Sequence, residues 1–248
     1  MRILSFLLLG LFWLCSCAAV LPVQGRLVVG SDLDNPPFAG VTQDGHPIGR
    51  DVEMMQMLCD RAGYELCWSR MPFEQLLPKV EDGRLDVVCA TLGITAERSK
   101  RVIFSPSYFD TAIVVVVRVG DREPQMLADL RGKLVSGAAG TTSELAIRRL
   151  LPSARGVFQN KTGGSALFRL MSREIDAAVM DGPAADSLVA KAAGQLRRLP
   201  EALDTESYGL ALPKSHGEIA ARLASVLLAM KQSGELVDLD RKYRLSEN

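Results

Sequence analysis

The stretch from Leu85 to Arg98, LDVVCATLGITAER, decides the fold. Its first half is a short apolar run rich in β-branched residues, which is typical of a strand buried on both faces. The run gives way to small residues, and Thr95 then has the residue type and position of a helix N-cap. The stretch therefore predicts a buried strand, a turn and a helix N-terminus in direct succession.

The turn after this strand has the chemistry of an anion-binding site. The first N–H groups of a helix have no partner within the helix, and they attract carboxylates and phosphates. Arg98 adds a planar, two-pronged donor in the first helical turn. A solvated surface charge is the alternative interpretation, but the helix dipole disfavours a cation at this position, so the arginine favours a ligand-binding role.

The segments before this stretch repeat strands and helices in alternation. Strands are predicted at 26–30 and 65–68, and helices at 51–63 and 73–80. The order strand, helix, strand, helix, strand indicates a parallel sheet with right-handed crossovers. The loop after the first strand carries Asp32 and Asn35 and lies at a carboxyl end, where α/β sheets place ligands.

The second half of the chain resembles the first. Residues 83–91, GRLDVVCAT, and residues 173–181, REIDAAVMD, share a charged turn, an aliphatic residue, an aspartate, an apolar strand and a polar tip. Each segment follows a predicted helix. The two halves are therefore expected to form similar α/β lobes with Thr91 and Asp181 at equivalent strand tips.

A second anion site is predicted in the second half. Residues 137–144, GAAGTTSE, place small residues before a helix, and Thr141 and Glu144 have the spacing of a capping box. Residues 111–117 form a β-branched run that predicts a fully buried strand, and residues 208–212 predict a strand returning to the first lobe. Two crossings between lobes make a hinge that is able to close around a ligand.

Composition excludes some partners and predicts export. Lys plus Arg and Asp plus Glu are equal at 29 each in 248 residues, so there is no basic field for nucleic acid.

The apolar run 3–14 is too short to span a bilayer and has the form of a signal-peptide core, which predicts a signal peptide over residues 1–25. Either Cys17 is lipidated at a lipobox-like LCSC, or cleavage after Ala19 or Gly25 releases a free periplasmic protein.

Export affects the interpretation of the cysteines. Cys59 lies near the end of a predicted helix, and Cys67 lies on the apolar stretch that follows. A helix-to-strand turn would bring the two within bonding distance, so we expect a Cys59–Cys67 disulfide in an oxidising compartment. Cys89, inside the apolar strand, is expected to be a buried free thiol.

Taken together, these motifs resemble the periplasmic solute-binding proteins of polar amino-acid ABC transporters, bacterial solute-binding protein family 3. The resemblance covers residues 26–243, and the Cys59 and Cys67 pair is similar to a disulfide of several members. It implies the type II periplasmic-binding fold, with lobe 1 formed by 26–114 and 208–248 and lobe 2 by 115–207. It further implies a monomer without a cofactor that binds an amino acid and delivers it to an inner-membrane ABC permease.

The resemblance also implies roles for individual residues. Arg98 corresponds to the arginine that grips the ligand α-carboxylate, helped by backbone N–H groups near Gly93 and Thr142. Asp181 corresponds to the residue that holds the α-ammonium, and the Thr91 region supplies further acceptors. The other expected ligand-binding positions line the side-chain part of the pocket and are Asp32, Asn35, Phe73 and Ala138.

The sequence departs from the family pattern at the expected site. The family usually has serines at the positions of Ala90 and Gly93, a tyrosine at that of Asn35, and a phenylalanine at that of Arg50. Fewer hydroxyl and aromatic contacts predict an unusual ligand, weaker affinity or a repurposed site.

Two other functions remain open. A dehydratase similar to the periplasmic cyclohexadienyl dehydratases, acting on prephenate or arogenate, would need a positioned general acid. The sequence offers no clear candidate, because His46 and His216 are placed like surface residues and no metal-ligand cluster or Ser/His/Asp spacing is present. The third function is a ligand-sensing partner of a membrane receptor.

Overall fold

The computed structural model describes residues 25–159 and 165–245 as a mixed α/β protein with two principal sheets. The predicted signal peptide and the lipidation of Cys17 lie outside the described residues, apart from residue 25, and stay predictions. Within the described ranges, no helix has the length and apolar character needed to cross a bilayer.

Strands and helices alternate along most of the chain. The first part contains β1 (Gly25–Ser31), β2 (Gly40–Val41), β3 (Pro47–Ile48), α1 (Arg50–Ala62), β4 (Tyr64–Arg70), α2 (Phe73–Glu81), β5 (Val87–Val88), α3 (Ala96–Ser99) and β6 (Ile103–Phe104). The middle part contains β7 (Phe109–Arg118), a 3₁₀ helix (Leu127–Leu130), β8 (Leu134–Ala138), α4 (Thr142–Leu150), β9 (Arg155–Gln159), α5 (Ala166–Met171), β10 (Ala177–Asp181), α6 (Gly182–Lys191), β11 (Leu196–Arg198) and β12 (Asp204–Tyr208). The last part contains β13 (Ala211–Leu212), α7 (Gly217–Gln232) and α8 (Glu235–Lys242).

The first lobe is built on a sheet of order β4-β1-β5-β13-β6. Strand β1 pairs in parallel with β4 and β5, whereas β13 runs antiparallel to β5 and β6. Val87 and Cys89 enter the core on one face of this sheet, and Val88 and Ala90 enter the core on the other. The prediction of a central strand buried on both faces is therefore confirmed, because successive side chains of a strand point to opposite faces.

The second lobe is built on a sheet of order β11-β7-β10-β8-β9, with β12 also paired to β7. Strand β7 contains the predicted run 111–117. Ile113, Val115 and Val117 pack into one core cluster, and Val114 and Val116 pack into a second cluster on the opposite face. The run is buried on both faces, as its β-branched composition predicted.

The repeated aspartates confirm that the two lobes share local architecture. Asp86 accepts the backbone N–H of Val28 at 2.8 Å, and Asp176 accepts that of Leu134 at 2.8 Å. In both lobes the backbone N–H of the aspartate donates to the carbonyl of the same partner residue. Each aspartate therefore ties the start of one strand to the neighbouring strand of its own sheet.

The chain passes between the lobes after β6 and again after β12. The return strand differs from the expected 208–212, because Tyr208 still pairs with Phe109 in the second sheet and only β13 joins the first. Gly209 lies between Tyr208 and β13, and its backbone passes close to Ile94. A Cβ atom at position 209 would lie 2.9 Å from the side chain of Ile94. The lobe limits at 114/115 and 207/208 stay predictions.

The expected Cys59–Cys67 disulfide is wrong, because the structure contains both residues as free thiols. Cys59 lies on α1 and points into the core, where Leu66 and Trp68 of β4 also pack. Cys67 lies between those two strand residues, so its side chain points to the opposite face of the sheet and accepts a hydrogen bond from Arg26 Nη2. The alternation of the strand keeps the two thiols apart. Cys89 is a buried free thiol, as expected.

Candidate ligand-binding cleft

A cavity of about 140 Å³ lies between the two lobes, at the ends of their central strands. Eight of the nine ligand-binding residues expected from the sequence line it, and these are Asn35, Phe73, Thr91, Gly93, Arg98, Ala138, Thr142 and Asp181. The ninth, Asp32, does not belong to this lining. It is buried in the first lobe, where its backbone carbonyl accepts a hydrogen bond from Arg70 Nε at 3.2 Å.

The floor of the cavity in the first lobe is the tip that follows β5. Thr91 has a positive φ of 48°, an uncommon and strained conformation for a β-branched residue. Its hydroxyl donates to the carbonyl of Ala90 at 2.8 Å and accepts the side-chain amide of Asn35 at 2.9 Å. The loop after β1 therefore holds the strained tip. The sequence analysis predicted this loop at the carboxyl end of the sheet, where α/β folds place ligands.

Arg98 is buried rather than a solvated surface charge, with 8% of its surface exposed. The helix N-cap predicted at Thr95 is confirmed, because its hydroxyl accepts the backbone N–H of Arg98 at 3.2 Å. The guanidinium donates to the carbonyl of Gly93 at 2.7 Å and to that of Gly140 at 3.0 Å. It therefore bridges the first lobe to the loop before α4 in the second.

Burial lowers the pKa of Arg98 from its usual value, and the nearby carboxylate of Glu206 acts against this shift. The two hydrogen bonds use two of the five N–H groups of a guanidinium. Among residues 25–159 and 165–245, the other three N–H groups have no recorded hydrogen-bond partner. The side chain is consequently suited to receive an anion in the cavity.

The second helix N-terminus also faces the cavity, but its cap differs from the expected one. Thr141 is the N-cap of α4 without a side-chain capping bond, and its hydroxyl donates to the carbonyl of Ala138 at 2.6 Å. Glu144 instead accepts the backbone N–H of Gly140 at 2.8 Å. The capping box is therefore wrong, whereas the placement of Thr142 on the cavity wall agrees with a helix N-terminus that receives an anion.

Asp181 lies at the tip of β10 and lines the same cavity as Arg98, and it is also the N-cap of α6. Its Oδ1 accepts the backbone N–H of Ala184 at 2.9 Å. This bond fixes the carboxylate at the edge of the cavity. The structure thus provides a guanidinium and a carboxylate in one cavity, each contributed by a different lobe.

Glu206, on β12, is a cavity residue that the sequence analysis missed. Its side chain is buried, and Thr142 donates its hydroxyl to one carboxylate oxygen. Burial raises the pKa of Glu206 to about 7, with Asp181 and Asp204 adding to the rise and with Thr142 and Arg98 acting against it. The sequence feature that could have identified Glu206 is its position two residues before Tyr208. Residues two apart on a strand point to the same face, so a buried aromatic at 208 indicates that Glu206 is buried as well.

Glu206 also explains the glycine at position 93. A Cβ atom on Gly93 would overlap a carboxylate oxygen of Glu206 and would lie 2.7 Å from Cγ2 of Thr142. The space that a serine side chain would occupy at this position is therefore filled by the Glu206 carboxylate of β12. One departure from the family pattern thereby receives a steric cause.

Within the described ranges, no group of three or more histidine, cysteine or acidic residues could hold a metal ion. His46 is exposed beside a turn, and His216 lies beside Asp86 at 3.1 Å, outside the cavity lining. The buried guanidinium of Arg98 in the lining suits the cleft to a small ligand that carries at least one anionic group.

Comparison with known proteins supports this interpretation. The family model of the bacterial extracellular solute-binding proteins, family 3, matches residues 27–246. The L-arginine-binding protein of Pseudomonas aeruginosa is 27% identical, covering 98% of this chain and 95% of the relative. A truncated, arginine-bound form of ArgBP from T. maritima is 34% identical over 83% of this chain and 96% of that one, with a TM-score of 0.74.

A second similar structure connects the fold with an enzyme lineage. It is the ancestral amino acid-binding protein AncCDT-1, described as a precursor of cyclohexadienyl dehydratase. It is 27% identical, covers 88% of this chain and 95% of its own, and has a TM-score of 0.78. Since the family model spans almost all of the described residues and the two-lobed fold agrees with it, the chain belongs to family 3 of the bacterial extracellular solute-binding proteins.

Proposed function

We propose that this protein captures a free amino acid in the cleft and delivers it to an ABC permease. One observation carries the proposal, namely that Arg98 and Asp181 line the same cavity from different lobes. A zwitterion needs a cationic group for its carboxylate and an anionic group for its ammonium, a few ångströms apart. The relatives that bind arginine support an amino acid as the ligand.

In the proposed complex, Arg98 receives the α-carboxylate together with backbone N–H groups near Gly93 and Thr142. Asp181 holds the α-ammonium, and the Thr91 tip supplies further acceptors. Asn35, Phe73 and Ala138 contact the ligand side chain, with Asp32 supporting the loop behind them. Closure brings the two charged groups together only around a ligand, so binding shifts the protein toward its closed form.

We further propose that the protein works outside the cytoplasm. The apolar run 3–14 and the family of extracellular binding proteins support export to the periplasm. Lipid attachment at Cys17 and cleavage after Ala19 or Gly25 remain the two alternatives for its N-terminus. A monomer is proposed, as the binding site is completed by the two lobes of one chain.

Purification of the native protein followed by denaturation and mass spectrometry tests the proposed function directly. We expect one free amino acid at close to one equivalent. Calorimetric titration of ligand-stripped protein with the proteinogenic amino acids, L-ornithine and L-cystine then gives the affinity. Absence of any bound amino acid, with no heat in any titration, would contradict the proposal.

A dehydratase activity is the second candidate. It needs a general acid, for which the sequence analysis found no clear candidate, and the buried carboxyl group of Glu206 is one in the structure. A carboxyl group with a pKa of about 7 is partly protonated at neutral pH and is suited to donate a proton to a leaving hydroxyl. Incubation with prephenate and detection of phenylpyruvate absorbance distinguishes the candidates. Turnover that is lost in Glu206→Gln would favour the enzyme, and no turnover would leave the binding protein.

A further inference from the structure

The carboxyl group of Glu206 lies beside the part of the cleft assigned above to the ligand carboxylate. It accepts a hydrogen bond from the hydroxyl of Thr142, and it occupies the space next to Gly93. Arg98 donates hydrogen bonds to the carbonyls of Gly93 and Gly140, so its guanidinium lies in the region that Thr142 and Gly93 flank. A ligand carboxylate on Arg98 and the carboxyl of Glu206 would therefore be neighbours.

The charges around Glu206 do not compensate for two adjacent carboxylates. Among residues 25–159 and 165–245, Arg98 is the cation that lines the cavity, while Asp181 and Asp204 are further acids that affect Glu206. In the part of the chain that the structure describes, the other charged or titratable groups near Glu206 are on α4 and β12. They are Arg148, paired with Glu144; Arg149, paired with Asp204; and Tyr208, whose pKa burial raises. The two arginines of α4 are therefore already engaged with acids.

Two carboxylates that share one site favour a state in which one of them holds a proton. The neutral carboxyl then donates a hydrogen bond to the charged one, which removes the repulsion and adds a charge-assisted bond. Glu206 is suited to be the protonated member, because burial already places its pKa at about 7 in the protein. A ligand carboxylate lying next to it would raise this pKa further.

We infer that Glu206 takes up a proton when a ligand carboxylate binds to Arg98, so that amino-acid capture in this cleft is coupled to protonation. The inference rests on the proposed function and specifies its regulation. The proton comes from the solvent and forms the O–H bond of the Glu206 carboxyl. Binding is then tight at acidic pH and weakens as the pH rises, since the proton must be taken from increasingly dilute solution.

Calorimetric titration of the exported protein with L-arginine and with the other members of the amino-acid panel tests the coupling. Titrations at pH 6 and 8 are expected to show affinity about tenfold weaker at pH 8, the change in the protonated fraction for a pKa of about 7. At pH 7.5, the heats in phosphate and in Tris should differ by the amount expected for uptake of about three quarters of a proton, since roughly a quarter of a group with a pKa of about 7 is already protonated. Glu206→Gln should remove both effects, whereas Glu218→Gln, at an exposed position on α7, should retain them.

Carboxyl NMR gives a second readout that does not depend on the substitution preserving the affinity. The resonance of Glu206, assigned by its loss in Glu206→Gln, should titrate at higher pH in the ligand-bound protein than in the free protein. Binding without proton uptake, or with affinity that increases toward pH 8, would overturn the coupling and leave the proposed function intact. Failure of every amino acid to bind at either pH would contradict the proposed function itself, and the coupling with it.

Discussion

The carboxyl group of Glu206 fills the space that a side chain at Gly93 would need. The two residues lie on different elements, on β12 and on the turn after β5, and they meet where the lobes approach each other. The bridge between Gly93 and Tyr208, with the Ile94 N–H donating to the Ser207 carbonyl at 2.8 Å, holds this approach. Position 93 therefore has to be small while position 206 carries a long side chain.

Gly93→Ser is expected to destabilise the protein and to weaken ligand binding. The new side chain would collide with Glu206 and Thr142, and overpacking of this kind costs about 1–3 kcal/mol. Adding Glu206→Ala to the same chain should recover part of this loss, because it removes the collision with Glu206 and leaves the one with Thr142. Urea unfolding measures the effect, with Gly217→Ser as a control in open space. Additive effects of the two cleft substitutions would argue against a steric coupling.

Arg98→Ala is expected to abolish binding of any α-amino acid. The substitution leaves the ligand carboxylate unpaired in a desolvated cleft, a loss of roughly 2–5 kcal/mol by analogy with buried charge pairs. Titration calorimetry measures the loss, and thermal unfolding reports the contribution of the bonds to Gly93 and Gly140. Arg101→Ala is the matched control, since this exposed arginine on the same segment pairs with Glu81. Unchanged affinity in Arg98→Ala would contradict the assignment.

Asp181 caps α6 and is proposed to hold the ligand ammonium, and different substitutions should separate these two roles. Asp181→Asn keeps an oxygen able to accept the Ala184 N–H, so stability should change little while amino-acid binding falls at least tenfold. Asp181→Ala should lose the helix cap as well, which costs about 1 kcal/mol of stability. Asp186→Asn on the same helix, in an exposed ion pair with Arg198, is the control. If the natural ligand is a keto acid or a dicarboxylate, calorimetry should show that both Asp181 variants still bind it.

Glu206 is expected to make the free protein less stable as the pH rises. Its folded pKa of about 7 lies above the ordinary value of 4.5, so the folded state binds more protons than the unfolded state between these limits. The stabilising contribution is complete below pH 4.5 and is lost as the pH rises to about 7, an effect of roughly 3 kcal/mol. Urea unfolding at pH 5 and 8 should show this difference in the wild type and a smaller one in Glu206→Gln. Equal pH dependence of the two proteins would contradict the burial of a titrating carboxyl.

The thiols are expected to behave as free cysteines. Cys59 and Cys89 are buried, while Cys67 is partly exposed on the opposite face of the sheet. Alkylation of the folded, unreduced protein with peptide mapping by mass spectrometry should modify Cys67 first, and denaturation should add the two buried thiols. Reductant should leave the melting temperature unchanged. A Cys59–Cys67 linked peptide would show that strand β4 pairs differently from the structure.

Several elements could be predicted because their signals are local. The apolar run after Leu85 and the run 111–117 contain enough β-branched residues to form buried strands without reference to the rest of the chain. Thr95 caps α3 through a bond within the same turn. The repeated aspartate motif identified Thr91 and Asp181 as equivalent strand tips, and both line the cleft. Short-range geometry and a repeated pattern were sufficient for this part of the site.

Other features depended on which faces and edges meet across the molecule. The cysteine pair is close in sequence, yet the alternation of β4 turns Cys67 away from the helix that carries Cys59. Glu206 enters the cleft only because β12 lies along β7 at the hinge, and its pKa rises because the packed lobes exclude water from it. Residue order alone therefore specified the α/β alternation and the charged tips, since periodicity and capping act within a few residues. The meeting of Glu206 with Gly93 required the folded lobes, because contacts between residues more than a hundred positions apart are set by packing.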